Sequence, residues 1–163
     1  MQDAVHHVGF TVSDLERSIA FYSRLLRVQP FLRRVYREAF ISEIVGYEDT
    51  VLDCALFTVP RSGVILELLE YQVPSTGRVS TETYNVGNAH LCLVVDDLDA
   101  EYERLLGAGV EFRSPPVDIP PETEEEPVRG GKALYLRDPD GITVELLELP
   151  ATDPQAGPQA DGG

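Results

Sequence analysis

Tryptophan is absent from this 163-residue chain, methionine occurs once, and there are only two cysteines and three histidines. Two cysteines cannot build a disulfide framework or a four-thiolate zinc knuckle. Cys54 and Cys92 both sit in apolar, strand-like runs, where they are expected to be buried thiols. Basic residues are scarce: 13 Lys and Arg against 28 Asp and Glu leave a net charge of −15. That field repels nucleic acid and anionic membrane surfaces, so neither is expected as a partner. No apolar run approaches a membrane span. The opening Met-Gln-Asp-Ala-Val-His-His has no charged-then-apolar targeting pattern, and a cytoplasmic location is the expectation.

What the chain does have is alternation. Val5 to Val12 reads as a strand with His7, Gly9 and Thr11 on one face and Val8, Phe10 and Val12 on the other. Ser13 or Asp14 can cap a helix whose stripe is Leu15, Ile19, Tyr22, Leu25 and Leu26. Pro30 marks its exit, and Phe31 to Tyr36 looks extended. A short helix is possible within 37–49, with Gly46 near its end. Val51 to Val59 and Val64 to Tyr71 then read as a hairpin turning at Pro60-Arg-Ser-Gly63.

After a polar linker the order starts again. Ala89 to Val95 is a strand, Asp96 or Asp97 caps a helix ending at Gly107-Ala-Gly109, and a Pro-rich loop follows. That loop carries the acidic run Glu122-Thr-Glu-Glu-Glu126, a solvated segment that could act as a lid. The last hairpin runs from Ala133 to Leu149 and turns at Asp138-Pro-Asp-Gly141, where proline fixes φ and glycine is free to take φ > 0. Residues 151–163 are rich in Pro, Gly and Asp and are expected to be disordered, because they cannot bury enough apolar surface to offset ordering.

The two halves correspond. His7-Val-Gly-Phe-Thr-Val-Ser-Asp-Leu15 aligns with His90-Leu-Cys-Leu-Val-Val-Asp-Asp-Leu98, and Val64-Ile-Leu-Glu-Leu-Leu-Glu70 aligns with Ile142-Thr-Val-Glu-Leu-Leu-Glu148. A repeated strand–helix–three-strand unit implies two modules, about 5–72 and 88–149, within one domain spanning 1–150. The repeat superimposes His7 on His90 and Glu67 on Glu145. A carboxylate in the middle of so apolar a strand is costly unless something positive meets it. Two imidazoles and two carboxylates suit a divalent metal such as Ni, Co, Zn, Mn or Fe. A lone strand histidine is more often a satisfied core or surface residue, but coincidence would have to strike both modules twice.

On His7-Val-Gly-Phe with Asp14-Leu and Phe21-Tyr, Glu67-Leu-Leu, His90 with Asp97-Leu, and Asp138-Pro-Asp-Gly followed by Glu145-Leu, the chain resembles the vicinal oxygen chelate superfamily. The resemblance implies an α+β fold of two paired βαβββ modules forming a curved sheet cup, with the metal held by His7, Glu67, His90 and Glu145. It also implies a small-molecule substrate and a homodimer. The His/Glu/His/Glu set is similar to bacterial glyoxalase I, in which Glu145 would be both ligand and base. The epimerases of the superfamily imply a second base, for which Asp53 is the candidate, sharing a strand face with Ala55 and Phe57.

The implied reaction is that of a metal-dependent isomerase or lyase, acting through an enediolate or enolate on an α-oxo or thioester substrate. Arg33, Arg34, Arg37, Arg78 and Arg129 are available to grip an anion, and Tyr36, Tyr47, Tyr71 and Tyr135 to line a pocket. Extradiol dioxygenases fit less well, since Glu126 to Lys132 contains no histidine and His6 should face away from His7. A non-catalytic sequestering protein is the remaining alternative. Fold alone does not choose among these.

Overall fold

The computed structural model describes residues 4–75, 77–122 and 128–150. The tail at 151–163 and the middle of the acidic loop, 123–127, lie outside the described residues, and with them the expectations of a disordered tail and of a lid. The architecture is mixed α+β, with two sheets and three helices among the described residues. The chain divides into two compact units, one drawn from 1–81 with 138–141, the other from 82–137 with 142–163.

The first unit runs β1 (His7–Thr11), α1 (Leu15–Leu26), β2 (Leu32–Tyr36), α2 (Ala39–Val45), β3 (Val51–Thr58) and β4 (Ile65–Val73). Its sheet has the order β1-β4-β3-β2, with β1 parallel to β4 and the other pairs antiparallel. Alternation decides which face is covered. Phe10, Val12, Ala55, Phe57, Leu66 and Leu68 are buried with α1, whereas His7, Gly9 and Thr11 are exposed. Helix α1 begins at Asp14, whose side chain accepts from Arg17 N at 3.0 Å. It buries Leu15, Ser18, Phe21, Tyr22, Leu25 and Leu26. Phe21 thus belongs to the covered stripe, and Ile19 is only half-buried on its margin. Helix α2 is the short helix of the 37–49 region and ends at Gly46, where φ is +78°.

The second unit runs β5 (His90–Val95), α3 (Leu98–Leu106), β6 (Glu111–Phe112), β7 (Val117–Asp118), β8 (Lys132–Arg137) and β9 (Thr143–Glu148). Its sheet is ordered β5-β9-β8-β6, with β7 also pairing β8. The Pro-rich loop therefore contains a strand, β7, that alternation over two residues could not reveal. Asp97 caps α3 by accepting from Ala100 N at 2.9 Å. Leu98, Leu105, Leu134, Leu136, Val144 and Leu146 form the core, each fully buried side chain contributing roughly 1.5–3 kcal/mol. On α3, Tyr102 is half-buried and Leu106 is exposed.

A second pair of glutamates explains the entry of each helix. Glu70 Oε2 accepts from Leu15 N at 2.8 Å, and Glu148 Oε2 accepts from Leu98 N at 2.7 Å. Each carboxylate thus sits at the positive end of a helix and pairs a first-turn N–H that has no intrahelical acceptor. These glutamates follow Glu67 and Glu145 by three residues, an odd offset that sends them to the opposite sheet face.

The turn Asp138-Pro-Asp-Gly141 is as its residues dictate. Gly141 N donates to Asp138 O at 2.9 Å with φ at +86°, and Asp140 N donates to Asp138 Oδ1 at 2.9 Å. The turn packs as part of the first unit. The Tyr22 hydroxyl donates to Asp138 Oδ2 at 3.1 Å, and Asp140 accepts from Ser13 N at 2.9 Å and Arg17 Nη2 at 2.8 Å.

Candidate metal centre

The register sets the candidate residues in the same way in both units. In the first, Gly9 lies opposite Glu67 and His7 opposite Ile65. In the second, Cys92 lies opposite Glu145 and His90 opposite Thr143. Each histidine is therefore offset by one strand-face step from its glutamate, and the two side chains lean together. His7 Nε2 is 3.5 Å from Glu67 Oε2, and His90 Nε2 is 3.0 Å from Glu145 Oε2. The same atoms meet in both units. Both pairs lie on the face away from the helix, with the histidine side chains 48% and 41% exposed and the glutamates 24% and 19%. A glutamate on this face need not bear the full cost of burial.

The donors fit a metal ion. Nitrogen and oxygen ligands bind a divalent ion at about 2.0–2.2 Å, so two of them on one ion stand about 3–3.5 Å apart. Both pairs have that separation. The Nδ1 atoms of His6 and His7 are 2.9 Å apart, and with His7 donating, its Nε2 keeps a lone pair for an ion. His6 precedes the first strand residue, so strand alternation does not turn it away from His7 as expected. Among the described residues no group of three or more His, Cys, Asp or Glu side chains is gathered to hold an ion. Each unit by itself supplies two donors.

Asp53 is placed elsewhere. It pairs with Glu70 and Val35 across the ladder, whereas Glu67 pairs with Leu56. Asp53 therefore shares the helix-covered face with Ala55 and Phe57, as alternation indicated, but not the face of His7 and Glu67. It is buried, and Oδ2 accepts from Arg33 Nη2 at 3.2 Å while Arg33 also pairs with Glu16 of α1. Two of the other arginines expected for an anion pocket are engaged as well. Arg34 pairs with Glu38 and lies 4.6 Å over the Tyr36 ring, and Arg78 reaches Asp140.

Two aromatic groups flank the pairs. Tyr135 lies directly opposite Glu145, its ring 5.3 Å from that of His90. Tyr71 packs edge-on to Tyr47 at 6.4 Å. Burial first and the neighbouring Glu145 and Cys92 next raise the Tyr135 phenol above its usual range. Burial, Tyr47 and Glu67 do the same for Tyr71. Both hydroxyls stay protonated at neutral pH.

The cysteines correct one expectation. Both are free, and Cys54 is buried, but Cys92 is exposed. It shares the open face with His90, so the apolar run around it conceals a face that no helix covers. Partial burial of its thiol, and then the neighbouring Glu145, push it up to about 11; burial and Glu67 push Cys54 up to about 12.

Two units of repeated strand–helix–strand order, each with a His–Glu pair on its open face, define a class of modular α+β protein. The chain belongs to the Glyoxalase/Bleomycin resistance protein/Dioxygenase superfamily, whose sequence profile matches residues 4–146. It is 30% identical over 156 residues to a 2-epi-5-epi-valiolone epimerase from an Actinomyces species, covering 93% of this chain and 82% of the relative. It is 30% identical over 151 residues to the lactoylglutathione lyase of Salmonella typhimurium, covering 87% and 90%. A glyoxalase family protein from Bacillus cereus shares the fold with a TM-score of 0.74 at 19% identity, covering 90% of this chain and 93% of its own.

Proposed function

We propose that this protein is a metal-dependent isomerase or lyase that moves a proton at a carbon beside a carbonyl. In this reading His7, Glu67, His90 and Glu145 hold a divalent ion, one of Ni, Co, Zn, Mn or Fe. The observation that carries it is the recurrence of one donor geometry, Nε2 facing Oε2 on an open sheet face, in both units. Relatives named as an epimerase and a lyase support the same class of chemistry. A bound ion would polarise the substrate carbonyl and acidify the adjacent C–H, which a free carboxylate is too weak a base to ionise.

Glu145 takes the proton on its carboxylate, beside the raised Tyr135 phenol, which remains a donor at neutral pH. Epimerisation needs a second carboxylate on the other side of the carbon. Asp53, the expected second base, is held by Arg33 on the helix-covered face of its sheet. The engagement of Arg33, Arg34 and Arg78 supports a substrate gripped by hydrogen bonds more than by multiple cations. The proposal includes a homodimer, supported by α2, which buries no residue and leaves Phe40 and Ile44 exposed.

The test is deuterium uptake from heavy water, read by mass spectrometry, with 2-epi-5-epi-valiolone and with lactoylglutathione as trial substrates. Uptake should require one of the five ions and vanish with chelator. Glu145→Gln should slow it by roughly 10²–10⁴-fold. Uptake that persists without metal, or in Glu145→Gln, sinks the assignment. Oxygen consumption with a catechol would favour the dioxygenase alternative instead.

A further inference from the structure

Each glutamate of the two pairs has a cysteine neighbour that the proposed reaction does not use. Glu67 presents Oε2 to His7, while its Oε1 lies 3.5 Å from Cys54 Sγ on β3. Glu145 presents Oε2 to His90, and Cys92 on β5 lies directly opposite it in the ladder. The two thiols arrive from strands that are not equivalent under the repeat. Cys54 lies opposite Leu69, and the matching place opposite Leu147 is taken by Ala133. Cys92 lies opposite Glu145, and the matching place opposite Glu67 is taken by Gly9. A Cβ on Gly9 would come within 3.5 Å of Glu67 Oε2. Each glutamate therefore has a thiol on one flank and a small residue on the other, with the flanks exchanged between units.

We propose that Cys54 and Cys92 are positioning residues, each donating its S–H to its glutamate and holding Oε2 toward the histidine. The proposal rests on the reading of these pairs as metal ligands. Carboxylate ligands are commonly oriented by an outer hydrogen-bond donor, whose loss costs about 10–100-fold in metal affinity. A protonated thiol is a suitable donor here, small enough for a strand face and adding no charge beside the ion.

The experiment compares Cys54→Ala, Cys54→Ser, Cys92→Ala and Cys92→Ser in Co(II) affinity, by competition with a chelator. Infrared measurement of the S–H stretch in metal-free protein runs alongside. Each alanine variant should bind Co(II) roughly 10–100-fold more weakly, and serine, which retains a donor, should recover most of the loss. The S–H band should be displaced by hydrogen bonding in the wild type and return toward the free-thiol position in Glu67→Ala and Glu145→Ala for the respective cysteine. Unfolding midpoints of the serine variants separate lost orientation from lost fold. Undiminished Co(II) affinity in the alanine variants overturns the proposal, as does a thiolate-to-cobalt charge-transfer band, which would make the thiols ligands. Failure of the wild type to bind Co(II) refutes the metal reading alone. The infrared band still decides the thiol contact, and an undisplaced band overturns it.

Discussion

At the scale of single residues, the open face of each sheet is where chemistry and exposure meet. Cys92 illustrates it: exposure alone suggests a reactive thiol, but reactivity follows the thiolate. With its pKa pushed up to about 11, Cys92 should react slowly with a disulfide reagent at pH 7. Its rate should climb about tenfold per pH unit toward that value, rather than levelling near 8.5 as for an ordinary thiol. Asp140 shows the opposite shift. Burial alone would raise it, but Ser13 and the Arg17 guanidinium outweigh burial and hold it below the usual carboxylate range. A lowered folded pKa stabilises the fold above the unfolded value, and the gain is lost as pH falls through the folded one. Asp140→Asn should therefore cost about 1–3 kcal/mol at pH 7 and markedly less near pH 3, measured by urea unfolding.

At the scale of elements, the helices are pinned at their N-termini from two sides. Asp14 and Asp97 cap from within the chain segment, and Glu70 and Glu148 cap from the neighbouring strand. Asp14→Ala or Asp97→Ala should cost about 1 kcal/mol. Glu70→Gln or Glu148→Gln should cost up to about 1.5–3 kcal/mol, since a charge-assisted bond at a helix N-terminus is weakened. Chemical denaturation of the four variants checks both. The parity of this arrangement was legible in Glu-Leu-Leu-Glu, where an offset of three must place the carboxylates on opposite faces. Which face met a helix was not legible, because the partner N–H belongs to a residue some fifty positions away.

At the scale of the whole molecule, a bound ion should show in stability. If the two pairs bind a divalent ion, a concentration 100 times the Kd should stabilise the fold by about 2.7 kcal/mol. The rise in Tm should disappear with chelator and in Glu145→Gln. A calorimetric scan with and without each ion reads it directly. Homodimer formation should appear in light scattering as the mass of two chains, and Ile44→Asp on α2 should lower it to one.

The sequence by itself determined the repeat, the order of strands and helices apart from β7, and the superposition of His7 on His90 and Glu67 on Glu145. These follow from period-two and period-3.6 patterns and from caps, which are local. It also determined the superfamily, through motifs that lie on those same strands. Only the tertiary structure decided which sheet face the helices cover, and so that Cys92 is exposed and Asp53 is buried and held by Arg33. Only it showed that His6 meets His7, that Glu70 and Glu148 anchor helices, and that cysteines on non-equivalent strands neighbour the two glutamates. Each of those depends on register and packing between distant segments, which no local pattern encodes.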